Sequence, residues 1–285
     1  MKNSSTTFFR ISCLLLIFGV LASCKNERLI QRGDTLPVAY KKAMALFQSG
    51  EFGDAAQAFE TVISIGRGTD YGQSAQYLLA QSYFNDERFL LAASEYKRYI
   101  TLFPRAEKRD EAQYKEALSY FKLSPRYKLD QEYTHTAIEK FRLYISRYPE
   151  SVKVEEAASY INKLRAKLAK KMYFAADLYR RIDSYEAAII YYDLTIERFP
   201  GTVWAQRALL HEIETYIAYA DHSVLSKQPE RYGEAIEAYE KFIQLFPNGK
   251  YRDEAEEYVD EARSALAALD IPEEEAAADT ADAEK

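Results

Sequence analysis

Beyond residue 24 the sequence contains no cysteine, because Cys13 and Cys24 are the only two in the chain. That excludes disulfides and thiolate metal sites over the rest of the sequence, so its stability must come from packing. Glycine and proline are scarce, 10 and 8 in 285 residues. A turn-rich β protein needs more of both, and the shortage favours long helices. Histidine is rarer still: His135, His211 and His222 stand alone, and His211-Glu212 is not followed by a second histidine four residues after the first, as a helical zinc motif requires. There is no Gly-x-Ser-x-Gly, and Gly249-Lys250 lacks both the upstream glycine and the following Ser or Thr of a phosphate loop. Gly66-Arg67-Gly68 reads as a helix stop and turn. The carboxylates Glu155-Glu156 and Glu254, Glu256, Glu257 fall in the first turns of expected helices, where they complement the helix dipole and face water. These absences argue against an enzyme, a metal, a cofactor or a small-molecule substrate.

Charge of one sign is missing too, once it is partitioned. The chain carries −6 overall, and residues 270–285, with seven acids and one lysine, hold a net −6 by themselves. The part before them is nearly neutral, without the one-sided basic surface that nucleic-acid binding needs. The acidic, alanine-rich stretch 270–285 has too little apolar surface to fold and reads as a disordered tail.

The longest apolar run, Ile11 to Val20, is too short to span a bilayer with its flanks. Lys2 and Arg10 precede or open it, and Leu21-Ala22-Ser23-Cys24 follows it. Residues 1–23 therefore read as a secretory signal peptide. Leu-Ala-Ser-Cys resembles the bacterial lipobox, which implies lipid attachment at Cys24 and membrane contact through that anchor. Residues 24–36 read as a lipid-anchored tether; the eleven residues Lys25 to Thr35 could reach roughly 36 Å at ~3.3 Å each.

What the sequence has in abundance is rings, 24 Tyr and 15 Phe, and they recur. Counting back from Arg67, Pro104, Pro149, Pro200 and Pro247, the residue twelve before is Ala55, Ala92, Ala137, Ala188 and Ala235. Eight before stands Phe59, Tyr96, Phe141, Tyr192 or Tyr239; four before is always isoleucine, from Ile63 to Ile243. These offsets trace the apolar stripe of a helix stopped by proline, repeated five times. A second register repeats every 37 residues in the preceding helices: Tyr40, Tyr77, Tyr114; Ala43, Ala80, Ala117; Phe47, Phe84, Phe121. Small, small, aromatic and proline at these spacings form the tetratricopeptide pattern, in which two helices touch backbone to backbone where both side chains are small. The expected fold is all-α: a tetratricopeptide-repeat superhelix of five helix pairs plus a C-terminal capping helix from Tyr251 to Leu269.

Three departures are expected. Ala117 to Ala137 is 20 residues instead of 12, which places a loop around Lys122 to Gln131 at Ser124-Pro125. Ser151 to Ile182 has no Gly or Pro and predicts one helix of about 30 residues, ~45 Å long. Its first part, through Ala157, Ile161, Leu164 and Leu168, should pack back on the third repeat. The fifth repeat should have a loop from Asp221 to Glu230. The resulting division is residues 37–150 for repeats one to three and 151–269 for repeats four, five and the cap.

Lipobox, tether, five repeats, a loop in the third and a long fourth-repeat helix that includes Lys163-Leu-Arg-Ala-Lys-Leu together resemble the BamD (YfiO, ComL) family of outer-membrane assembly lipoproteins. The resemblance covers about residues 21–269, and the acidic tail and the fifth-repeat loop depart from it. It implies a periplasm-facing scaffold on the outer membrane. The C-terminal repeats of such a scaffold hold the periplasmic domains of the barrel insertase, and its N-terminal repeats meet unfolded outer-membrane barrel proteins. A repeat lipoprotein of another envelope machine, in cell-wall synthesis or in pilus or secretion assembly, shares the single-repeat signature. On the first reading, the mixed charges of Arg165, Lys170, Lys171, Arg180 and Arg181 are candidates for partner docking. Tyr40, Tyr77 and Tyr114 with Phe47, Phe84 and Phe121 fall at repeat positions 5 and 12, outside the usual packing set, and are candidates for a peptide groove. The competing reading is that these rings pack the helices.

Overall fold

The computed structural model describes residues 29–269. The expected signal peptide 1–23, Cys24, the start of the expected tether and the expected tail 270–285 lie outside the described residues. Among the described residues the structure is all-α, and its helices pack in consecutive pairs. They are α1 (Leu36–Ser49), α2 (Phe52–Ile65), α3 (Asp70–Asn85), α4 (Phe89–Leu102), α5 (Arg109–Leu123), α6 (Glu132–Arg147), α7 (Val154–Arg181), α8 (Tyr185–Arg198), α9 (Val203–Asp221), α10 (Gln228–Leu245) and α11 (Arg252–Leu269). No helix among these residues is long and apolar enough to cross a membrane.

The recurring phrase occupies the second helix of each pair, and its chemistry explains where those helices stop. The residue after α4, α6, α8 and α10 is Phe103, Tyr148, Phe199 or Phe246, each followed by proline. Their ψ values, 68°, 62°, 48° and 60°, have left the helical region, because a proline ring clashes with a helical residue before it. All five alanines twelve before the stop have no exposed surface, and Phe59, Tyr96, Phe141 and Tyr192 are fully enclosed. A further buried position, five before the stop, escapes the sequence reading: Val62, Tyr99, Tyr144, Thr195 and Phe242 differ too much in chemistry to announce a register, yet all are buried.

The described helices fall into two compact units, divided at Arg105 and Ala106. The first contains α1 to α4. Ala39, Ala43, Ala55 and Phe59 sit in one enclosed cluster, and Ile30 and Leu36 pack against it. Asp34 accepts hydrogen bonds from the Gln31 backbone N–H (2.8 Å) and from the Lys42 ammonium (2.7 Å). The end of the expected tether, from Gln31 to Asp34, is therefore tied to the repeat. Gly66 and Gly72 bring the end of α2 against the start of α3: a Cβ at Gly72 would lie 2.3 Å from the Gly66 carbonyl oxygen.

The second unit contains α5 to α11 and is organised by α7, a single helix of 28 residues. Ala157 and Leu164, in its first half, and Leu168, just past its midpoint, share a buried cluster with Ala137, Phe141 and Tyr144 of α6. Tyr173 and Ala176, in its second half, share another with Tyr192 of α8 and Leu209 and Ile213 of α9. The long helix thus packs on both the third and the fourth repeat. The third repeat accordingly sits with the fourth and fifth, whereas the sequence division at 150/151 separated them. The fifth-repeat loop is shorter than expected. α10 begins at Gln228 with Pro229 in its first turn, where a missing N–H breaks no helical bond, leaving residues 222–227 and a 3-10 turn at Leu225–Lys227. The closing helix α11 buries Ala255, Val259 and Ala262.

Candidate functional site

One face of α7 is left uncovered by its helical neighbours. Lys163, Lys167, Lys170, Lys171, Phe174, Ala175, Leu178 and Arg181 recur at helical spacing, so they project along a single side. The loop 124–131 forms the opposite wall, and several bonds hold it there. Gln131 donates from Nε2 to the carbonyls of Arg126 and Leu129, both at 2.9 Å. Lys167 Nζ donates to Ser124 Oγ (2.7 Å) and to its carbonyl (3.3 Å), and Lys171 Nζ to the Leu129 carbonyl (2.7 Å). The insertion that lengthens the third repeat is therefore an ordered structure braced by two lysines of α7.

Between loop and helix lies a cleft of about 850 Å³, lined by Arg126, Tyr127, Lys128, Leu129, Lys163, Ala166, Lys167, Lys170 and Trp204. A second cleft of about 430 Å³ shares Tyr127 and Lys128 with it and continues along Lys171, Phe174, Leu178 and Arg181. Together they form one trough. Its centre is aromatic: the Tyr127 and Phe174 rings stack at 5.3 Å, and Trp204 lies 5.6 Å from Phe174. The Lys170 ammonium is held over Tyr127 (4.6 Å), Trp204 (5.3 Å) and Phe174 (5.9 Å), and the Arg207 guanidinium lies 5.2 Å from Trp204. Ring faces are negative and stabilise a cation without neutralising it.

The trough is strongly one-sided in charge. The first cleft is lined by five cations, Arg126, Lys128, Lys163, Lys167 and Lys170, and by no carboxylate. Among the described residues, none of the five forms an ion pair. Burial pushes the Lys167 ammonium below the usual lysine range. A site of this kind can hold anions and apolar side chains together.

The five candidate docking residues separate. Lys170 and Lys171 line the trough, as does Arg181, which also pairs with Asp177 at 3.0 Å. Arg165 points elsewhere, donating to the Arg198 carbonyl (3.1 Å) and lying 5.5 Å over Phe199. Arg180 is half-buried between Asp177 (3.3 Å) and Glu214 (3.1 Å), so its charge is used inside the fold. Tyr127, Lys128, Lys163 and Trp204 escape the sequence reading. Trp204, the only tryptophan in the chain, is the one signal that could have drawn attention there.

The six candidate groove rings also separate. Tyr77 and Tyr114 are each 2% exposed. Tyr77 meets Tyr96 (5.9 Å) and Tyr99 (5.4 Å); Tyr114 meets Phe141 (6.1 Å) and Tyr144 (5.4 Å), with the Lys153 ammonium 4.6 Å away. Burial, assisted by Glu156, raises the Tyr114 hydroxyl well above the usual tyrosine range. Rings so enclosed have no face left for a peptide, and these two pack their helix pairs. The reason is that position 5 meets the phrase aromatic of the following helix and also the unrecognised position five before its stop. Tyr40, Phe47, Phe84 and Phe121 are half-buried, with Phe121 against Tyr160 at 4.4 Å. Tyr40, Phe47 and Phe84 belong to the first unit and Tyr114 and Phe121 to the second.

Residues 34–222 match the sequence profile of a family described as outer membrane lipoprotein (YfiO). The chain is 24% identical over 220 residues to the outer membrane protein assembly factor BamD of Rickettsia prowazekii, covering 76% of this chain and 87% of that one. It is 25% identical over 213 residues to BamD of Vibrio cholerae, covering 71% and 88%, and 25% identical over 274 residues to a putative BamD of Aquifex aeolicus, covering 95% and 81%. With two thirds of its length in one family profile, and with the helix pairs and the long α7 described above, this chain belongs to the YfiO family of outer membrane lipoproteins.

Proposed function

We propose that the protein is a scaffold subunit of the machinery that assembles β-barrels in the outer membrane, lipid-anchored through Cys24 and facing the periplasm. In this reading the second unit docks the periplasmic domains of the barrel insertase, and the half-buried rings Tyr40, Phe47 and Phe84 of the first unit contact unfolded barrel proteins. The observation that carries the reading is the family match over residues 34–222, whose relatives are named assembly factors. The trough supports it: a face with cations that no internal carboxylate neutralises is suited to steering a partner of opposite charge. Nothing in the reading asks the protein for chemistry, and the work is positioning.

The experiment is affinity capture of the tagged chain from detergent-solubilised outer membranes, with partners identified by mass spectrometry. The expected result is stoichiometric recovery of the barrel insertase. Recovery instead of cell-wall, pilus or secretion components, with the insertase absent, would assign the chain to another envelope machine.

A further inference from the structure

We infer that the trough along α7 seats an acidic segment of a partner protein that also carries large apolar side chains, bound extended between α7 and the 124–131 loop. This rests on the reading of the second unit as a docking surface and specifies what docks there. The shape supports an extended segment: Lys163 to Arg181 spans ~27 Å of helix, room for about eight residues at ~3.3 Å each. The charges specify its sign. Lys167 and Lys171 are engaged in holding the loop, and Lys170 sits among three rings; Lys128 and Lys163 each lie over a single ring, Tyr127 at 6.0 Å and Tyr160 at 5.3 Å, which leaves their charges and that of Arg126 for carboxylates. The walls specify the rest: Leu129 and Leu178 are more than half exposed, and the side chains of Tyr127 and Trp204 line the cleft. Burying such surface is favourable only against apolar side chains. A lone anion would leave these walls wet. The chain's own residues 270–285 match in charge, but apart from Ile271 they offer only alanine and one proline for the walls.

Because Trp204 is the only tryptophan, its emission reports directly on this trough. The test is a fluorescence titration of the purified full chain in detergent. The probe is a short tryptophan-free peptide, amidated at its C-terminus, rich in glutamate and interspersed with leucine and phenylalanine. We expect a saturable emission shift that weakens as salt is raised, and no response to the same peptide with lysine in place of glutamate. Reversing two exposed lysines in Lys128→Glu/Lys163→Glu should weaken binding about tenfold or more while circular dichroism and melting stay unchanged. Lys163→Arg, which keeps the charge, should bind as the parent does. The inference is overturned by absence of a saturable shift, by equal binding to the charge-reversed variant, or by an equal response to inorganic phosphate or to phosphatidylglycerol vesicles, which would make the trough an anion or lipid site. Binding seen only after removal of residues 270–285 would show that the chain's own end occupies the trough, and would also overturn it. The titration needs no insertase. Failure of peptide binding with the insertase still captured removes only this inference, and peptide binding without insertase capture removes only the proposed machine.

Discussion

Glu212 shows what a single buried carboxyl does to this fold. It lies on α9, 3% exposed, and burial, reinforced by the charge of Asp193, pushes its pKa up to about 8 against the attraction of Lys241. The Lys241 ammonium is already bonded to Asp193 at 2.8 Å. Folding therefore binds a proton at Glu212 that the unfolded chain, titrating near 4.5, has released. The penalty for burying its charge is absent below that pH, and stability falls as pH rises from there through about 8. We expect Glu212→Gln, which keeps shape and polarity without the charge, to stabilise the protein at pH 9 by up to ~5 kcal/mol, at ~1.4 kcal/mol for each pKa unit between 4.5 and about 8, and to change little at pH 4. Urea unfolding at the two pH values checks this; equal gains at both would show that the charge is not the cause. The tyrosine rows offer a second residue-scale contrast. Tyr77→Ala removes an enclosed ring and should cost ~3–5 kcal/mol, whereas Phe84→Ala, at a half-buried position, should cost clearly less. Similar melting losses would mean that the two positions share one role.

The contact between consecutive helices depends on how closely their ends approach. Gly72 stands in the first turn of α3 against the Gly66 carbonyl, with only 2.3 Å for an added Cβ, so Gly72→Ala must push α3 away from α2. Gly53, in the first turn of α2, would place its Cβ no nearer than 3.7 Å to any neighbour, which is ordinary contact. We expect Gly72→Ala to destabilise by roughly 1–3 kcal/mol and Gly53→Ala to be neutral or to stabilise by up to ~1 kcal/mol through reduced backbone freedom. Thermal melts of both variants decide it; a tolerated Gly72→Ala would mean that the helix ends are not tightly apposed. Much of this scale was readable from sequence. The prolines announced where α4, α6, α8 and α10 end, and the absence of breakers from Ser151 to Ile182 announced α7. The extra turn at the start of α10 was missed because Pro229 reads as a breaker, although in a first turn it is compatible with the helix.

For the whole molecule the question is what holds it at the membrane. Among the described residues no helix can cross one, and Cys24 is the single cysteine beyond the expected signal. We expect Cys24→Ala to abolish lipidation and to remove the protein from the outer-membrane fraction when the insertase is depleted, with circular dichroism unchanged. Retention in that fraction without any partner would show a second means of attachment.

At the same scale, the order of events along the chain was set by local rules. A helix places residues three and four apart on one side, so the offsets of alanine, aromatic and isoleucine could reveal five phrase helices and the alanines that those helices bury. Which charges stay open was decided only by tertiary packing. Lys170 and Arg180 look alike in sequence, both cations on one helix ten residues apart. Arg180 turns between Asp177 and Glu214, while Lys170 stands among Tyr127, Phe174 and Trp204. Those three rings come from a loop, from α7 and from the start of α9. No periodic pattern links Tyr127 to Trp204, because their proximity depends on a non-repeating loop braced against α7 by Lys167 and Lys171. Periodicity records what each helix buries against its own pair; the trough exists where the repeat is interrupted, and there only the folded chain brings its residues together.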